Sequence, residues 1–156
     1  MTDATTPREL SASVTIAATP AQIWSLISDL PRMHEWSPQV VRTVVVPKPT
    51  QLGSRMFNLN RQGRLKRWPT TGKVVRFSPN REIAFRITEN RTIWSFQLEE
   101  VDGGTRVTHR RETPQGISAV STVLTKLMLG GMEPFAAELQ EGMQQTLGRV
   151  KAVAEG

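Results

Sequence analysis

A chain of 156 residues with 38% apolar side chains is long enough for one ordinary domain around one buried core, which excludes wholesale disorder. It contains no cysteine, so disulfide scaffolds, thiolate zinc sites, iron–sulfur clusters and cysteine nucleophiles are excluded; its two histidines, His34 and His109, stand 75 positions apart, which argues against a histidine-rich metal site. The net charge of +6 is uneven: Arg42 to Arg91 holds 12 basic residues against Glu82 and Glu89, and the remainder holds 8 basic against 12 acidic, a pattern that permits an anionic partner without showing one.

The first eight residues are polar and expected to be loose. Ser11 to Ala17 alternates apolar with small polar side chains, a strand signal. Thr19-Pro20-Ala21-Gln22 predicts a helix start, with Thr19 as cap, Pro20 at the first helical position and Gln22 closing a capping box. Ile23, Trp24, Ile27 and Leu30 follow at helical spacing, Pro31 breaks the helix, and 32–36 is at most one further short turn. From Val40 the period becomes two, predicting strands over 40–46, 54–60, 66–77, 82–87, 92–101 and 105–112, the last two joined by the hairpin signal Asp102-Gly103-Gly104. Short turns make these strands antiparallel. After Pro114, apolar residues recur every three or four positions, which predicts one long helix over 118–154, interrupted at Gly130-Gly131 and kinked at Pro134.

One curved antiparallel sheet must bury its apolar face, and the C-terminal helix is the only element large enough to cover it. The fold class is therefore α+β, as a single domain over 1–156. No apolar run approaches the ~18–20 residues of a membrane span, and MTDATTPRELSA lacks the apolar stretch of a signal peptide, so a cytoplasmic location is expected.

The segments SVTIAATPAQIWSLISDLPRMHEWSP (13–38), GSRMFNLNRQGRLKRWPTTGKV (53–74), REIAFRI (81–87) and TIWSFQLEEVDGGTRVTHRRE (92–112), together with the closing helix, carry a resemblance. In them the chain resembles the START-like, helix-grip superfamily, in particular its bacterial polyketide cyclase/dehydrase branch. The resemblance implies about seven strands wrapped around the C-terminal helix, two short helices after the first strand, and a deep, mostly apolar cavity between sheet and helix. Members bind lipids, polyketides or other hydrophobic molecules, and some cyclise or dehydrate polyketides. The fold also hosts chaperone regulators and ribosome-associated proteins, so it does not imply one chemistry.

Strand alternation nominates the inward side chains. Trp94, Phe96 and Leu98 share one face of 92–98, and Ile83, Phe85 and Ile87 share one face of 82–87. In 66–77 the set Trp68, Thr70, Gly72 and Val74 is favoured inside, because the alternative contains Arg67 and Lys73. In 54–60 polarity gives mixed advice, and the resemblance favours Met56, Asn58 and Asn60 inside. If Val107 faces in, so does His109, while Arg111 either faces in or lies at the rim. His109 would then be a candidate general acid/base, and an inward Arg111 would need an anionic partner, either a ligand carboxylate or Glu99 or Glu112. Trp36, Met128 and Met132 complete the expected lining, the two methionines flanking the Gly130-Gly131 break as a soft edge.

The leading expectation is binding of a hydrophobic small molecule by Trp36, Met56, Trp68, Phe85, Trp94, Phe96, Met128 and Met132, oriented by Asn58, Asn60 and His109 and with Arg111 also counted among the ligand-binding residues, as a carrier or sensor that needs no cofactor or metal. The alternative is a polyketide cyclase or dehydratase with His109 as its base. A third reading, a nucleic-acid or ribosome-associated module, would use the basic hairpin 61–67 with Arg64 and Arg67. It is disfavoured because no aromatic stacking platform accompanies that hairpin.

Overall fold

The computed structural model describes residues 9–113 and 132–156, with side chains from residue 137 onward in the second segment. The first eight residues and the start of the expected C-terminal helix, with Met128 and Gly130-Gly131, lie outside the described residues, as does the side chain of Met132.

Strand β1 (Leu10–Ile16) leads into α1 (Pro20–Ile27). The capping box forms as its residues dictate: the Gln22 N–H donates to Thr19 Oγ1 (3.2 Å) and the Thr19 N–H donates to Gln22 Oε1 (2.8 Å). Ile23 and Ile27, four apart, form the buried face of α1. A 3-10 helix (Leu30–Glu35) follows, with Pro31 near its start. Six strands then form a meander: β2 (Val40–Val46), β3 (Arg55–Gln62), β4 (Lys66–Ser78), β5 (Glu82–Ile87), β6 (Ile93–Val101) and β7 (Gly104–Glu112). Helix α2 is described over Met132–Glu155.

All seven strands join one antiparallel sheet in the order β1-β7-β6-β5-β4-β3-β2, so the first strand returns to pair with the last. Register shifts at Val40/Arg42 and Val74/Arg76 mark irregularities that bend a sheet. The second also resets the alternation, so that Phe77 packs against the core while Arg76 bridges Glu82 and Glu112.

Helix α2 buries Leu139, Met143, Leu147 and Val150, the stripe expected from the sequence, and lies along β1. It also serves the backbone of that edge strand. Gln140 Nε2 donates to Ser11 O (2.8 Å), Lys151 Nζ donates to Thr15 O (3.0 Å), and the Ala17 N–H donates to Glu155 Oε2 (2.8 Å). Polar groups that would offer a template for another strand are thereby occupied. Among the described residues no helix is long and apolar enough to cross a membrane.

Candidate functional site

Between the concave face of the sheet and α2 lies a cavity of about 130 Å³. Strand alternation supplies its floor: Asn58 and Asn60 from β3, Trp68 and Thr70 from β4, Phe85 and Ile87 from β5, Trp94 and Phe96 from β6, and His109 and Arg111 from β7. One helical face supplies the roof, Leu139, Gly142, Met143 and Thr146, at spacings of three and four. Met33 and residues 37–40 close one side. That side is braced: the Arg61 N–H donates to Gln39 O (2.8 Å), Arg61 Nε donates to Pro38 O (3.0 Å), and Gln62 Nε2 donates to Glu138 on α2.

Two expected lining residues are not in the cavity wall. Met56 faces inward and is fully buried, but it lies at the end of β3 where Val45 and Gly72 flank it and the core closes. Trp36 caps the 3-10 helix, its N–H donating to Met33 O (3.2 Å), and its ring is buried in the core beneath the Arg32 guanidinium (5.3 Å to the centroid). Alternation and aromatic character are the same for core and cavity, so neither residue carried a signal separating the two. The lining also includes Thr70, Asn90, Gly142 and Thr146, which were not nominated as site residues. Thr70 had the right parity on β4, whereas the loop 37–40 and Asn90 had no periodicity that could reveal them.

The polar groups of the floor divide into satisfied and unsatisfied. Thr43 Oγ1 donates to Asn58 Oδ1 (2.9 Å), and Asn58 Nδ2 donates to Thr70 Oγ1 (3.2 Å), so Asn58 is held within the wall. Asn60 Nδ2 donates to Thr70 Oγ1 (2.9 Å) and Trp68 O (3.3 Å), and no described residue donates to its Oδ1. Trp94 is fixed by a relay in which its Nε1–H donates to Thr92 Oγ1 (3.1 Å), which donates to Asn90 Oδ1 (2.6 Å).

His109, 6% exposed, stacks on Phe96 with ring centroids 4.0 Å apart and planes 4° apart. Its Nδ1 lies 2.9 Å from Ser95 O; a carbonyl can only accept, so Nδ1 carries the proton and Nε2 keeps its lone pair. Burial pushes the imidazole pKa down to about 4, against a smaller upward pull from the Ser95 carbonyl, so the ring is neutral at pH 7.

Arg111 is 5% exposed, and its guanidinium carbon sits 5.7 Å from the Trp94 ring centroid, within cation–π range. Neither carboxylate nominated as its partner reaches it. Glu112 pairs with Arg76 (2.6 Å) and Glu99 with Arg106 (3.5 Å), so both are already engaged by other arginines. The Nε of Arg111 is buried with no hydrogen-bond partner.

The basic hairpin 61–67 contributes no lining residue. Arg64 and Arg67 are exposed, and Arg55, Arg61 and Lys73 occupy exposed positions of β3 and β4. Much of the charge surplus therefore sits on turns and exposed strand positions outside the cavity lining.

The family model described as polyketide cyclase / dehydrase and lipid transport matches residues 7–155. A comparison with curated proteins finds no match. Among solved structures, the chain is similar to protein CV1439 from Chromobacterium violaceum (17% identity, TM-score 0.66, covering 96% of this chain and 99% of that one). It is also similar to two di-domain ARO/CYC proteins. StfQ of the steffimycin biosynthetic pathway gives 14% identity and a TM-score of 0.74 over 94% of this chain, and BexL of the BE-7585A biosynthetic pathway gives 18% and 0.73 over 96%. The match spans 50% of each of those two chains. At these identities the likeness shows the fold, a helix-grip architecture. With the family model matching nearly its whole length, the chain belongs to the polyketide cyclase/dehydrase and lipid transport family.

Proposed function

We propose that this protein binds a small hydrophobic molecule in the cavity between sheet and α2, as a carrier or sensor. The observation that carries the reading is the make-up of the wall: Trp68, Phe85, Trp94 and Phe96 around a few isolated polar groups, the usual composition of a small-molecule pocket. The volume of about 130 Å³ is close to that of apolar protein cavities that take up a benzene ring, so a one-ring body fits without rearrangement. Native mass spectrometry and thermal shift against arenes, fatty acids and polyketide-like compounds test it. A bound mass and a raised Tm support the reading; a chain that stays empty against every compound overturns it.

The ARO/CYC neighbours and the family description favour a second reading, cyclisation or dehydration in the same cavity, with His109 as base. The Nε2 lone pair of His109 is available for that role. Its pKa of about 4 makes it a weak base at neutral pH, which is why binding is placed first. Turnover of a cyclisable polyketide mimic that is lost in His109→Ala would move the enzyme reading ahead.

A further inference from the structure

Arg111 is the only formally charged side chain among the described residues that line the cavity. It reaches there from β7, buried, with its guanidinium carbon over the Trp94 ring and an Nε–H that no described group accepts. The two carboxylates nominated as its partners, Glu112 and Glu99, are paired with Arg76 and Arg106. A buried cation without a counterion opposes folding, and an apolar side chain of similar length would sit there at less cost. Burial pulls its pKa down only to about 10, so it stays protonated at neutral pH.

We propose that the ligand of this cavity is an anion, a small aromatic carboxylate whose ring lies among Trp68, Phe85, Trp94 and Phe96 and whose carboxylate is the missing counterion of Arg111. This deepens the binding reading and rests on it. Three features set the ligand class. The charge to be balanced is one, which suits a carboxylate better than a phosphate dianion. The guanidinium presents parallel N–H donors, and a planar carboxylate accepts them in a fork. The cavity volume and aromatic walls take one ring.

The test titrates the full chain at pH 7 with benzoate, its neutral isostere benzamide, and phenyl phosphate, following tryptophan fluorescence and amide chemical shifts. It compares the wild type with Arg111→Met and Arg111→Lys. Methionine keeps an unbranched apolar stem beside Trp94 and removes the charge. In the wild type benzoate binds more tightly than benzamide by about 10- to 100-fold, the range of a hydrogen bond to a charged group. Arg111→Met loses that preference yet still takes up benzamide, and Arg111→Lys keeps part of it. Equal affinity for the two compounds in the wild type, or an unchanged preference in Arg111→Met, overturns the anion inference while the cavity reading stands. Binding of neither compound to either protein overturns both. Phenyl phosphate binding more tightly than benzoate overturns the choice of a carboxylate. Should Arg111→Met fail to fold, the Arg111 Nε–H resonance of the wild type decides the same question: a shift with benzoate and none with benzamide supports the ion pair, and no shift with benzoate overturns it.

Discussion

Removing the imidazole of His109 is expected to change how stability depends on pH. In the folded chain this ring is stacked flat on Phe96, its Nδ1–H is committed to Ser95 O, and its nearest charged neighbour in the cavity lining is the cation Arg111. Protonation would therefore place a second positive charge in a buried site where no described lining residue is acidic. The folded pKa is about 4 against an ordinary value of 6.5. With a depressed folded pKa, the unfolded chain binds the extra proton between these values. The contribution of His109 is thus fully present above pH 6.5 and is lost as the pH falls toward 4. At about 1.4 kcal/mol per pH unit, that window is worth about 3 kcal/mol. Urea unfolding followed by tryptophan fluorescence, at intervals from pH 7.5 to pH 4.5, compares the wild type with His109→Gln. At pH 7 the variant is less stable by about 1–2 kcal/mol, having lost the ring stack and its packing. On acidification the gap narrows and then reverses, because only the wild type carries the buried imidazole. A gap that stays constant across this range, or a His109 resonance that titrates near 6.5, would refute the reasoning.

Two further substitutions probe the frame around the cavity. Gly104 has φ of +148°, and a Cβ there would lie 2.0 Å from Ile16 O, so Gly104→Ala breaks the junction of β7 with β1 and costs about 3 kcal/mol or more. Gly103→Ala, at φ +85° with open space around it, costs about 1–2 kcal/mol; equal losses in chemical denaturation would contradict the steric argument. Asn58→Ala leaves the buried Thr43 hydroxyl without its acceptor and lowers stability by about 2–3 kcal/mol. Part of that loss returns in Asn58→Leu combined with Thr43→Val, where both polar partners are gone; a double variant no better than the single one would show that the hydrogen bond is not what holds this part of the wall.

The sequence made the sheet legible because its strands obey a period of two and its turns carry Gly, Pro and Asn. The boundaries expected for β2 and β5 match the structure, and the capping box at Thr19 and Gln22 forms from the residues that announced it. Parity along β4 to β7 also told which side chains face the helix. What parity cannot tell is depth along a row. Met56 and Asn58 have the same parity on the same strand, yet one meets Val45 and Gly72 in closed core and the other meets open volume. The lining from residues 37–40 and Asn90 comes from irregular backbone placed by tertiary contacts, such as those of Arg61 with Pro38 and Gln39. Arg111 was legible as a cation either inside the cavity or at its rim. Its lack of a counterion was not, because that depends on placement: Glu112 pairs with Arg76, and Glu99 faces Arg106 five register positions along β6. The cover that α2 gives to the edge of β1 was likewise hidden, since Gln140, Lys151 and Glu155 read as ordinary solvated helix residues.

The central claim, that the concave face of this sheet is a ligand site, is tested most directly by the indole N–H resonances of the four tryptophans. Trp68 and Trp94 line the cavity, whereas Trp24 packs edge-on against Phe77 (centroids 5.2 Å apart) and Trp36 lies in closed core. Titration with benzoate and a neutral arene should shift the Trp68 and Trp94 signals saturably and leave Trp24 and Trp36 in place. Shifts confined to Trp24 or Trp36, or no shift with either compound, would contradict the account.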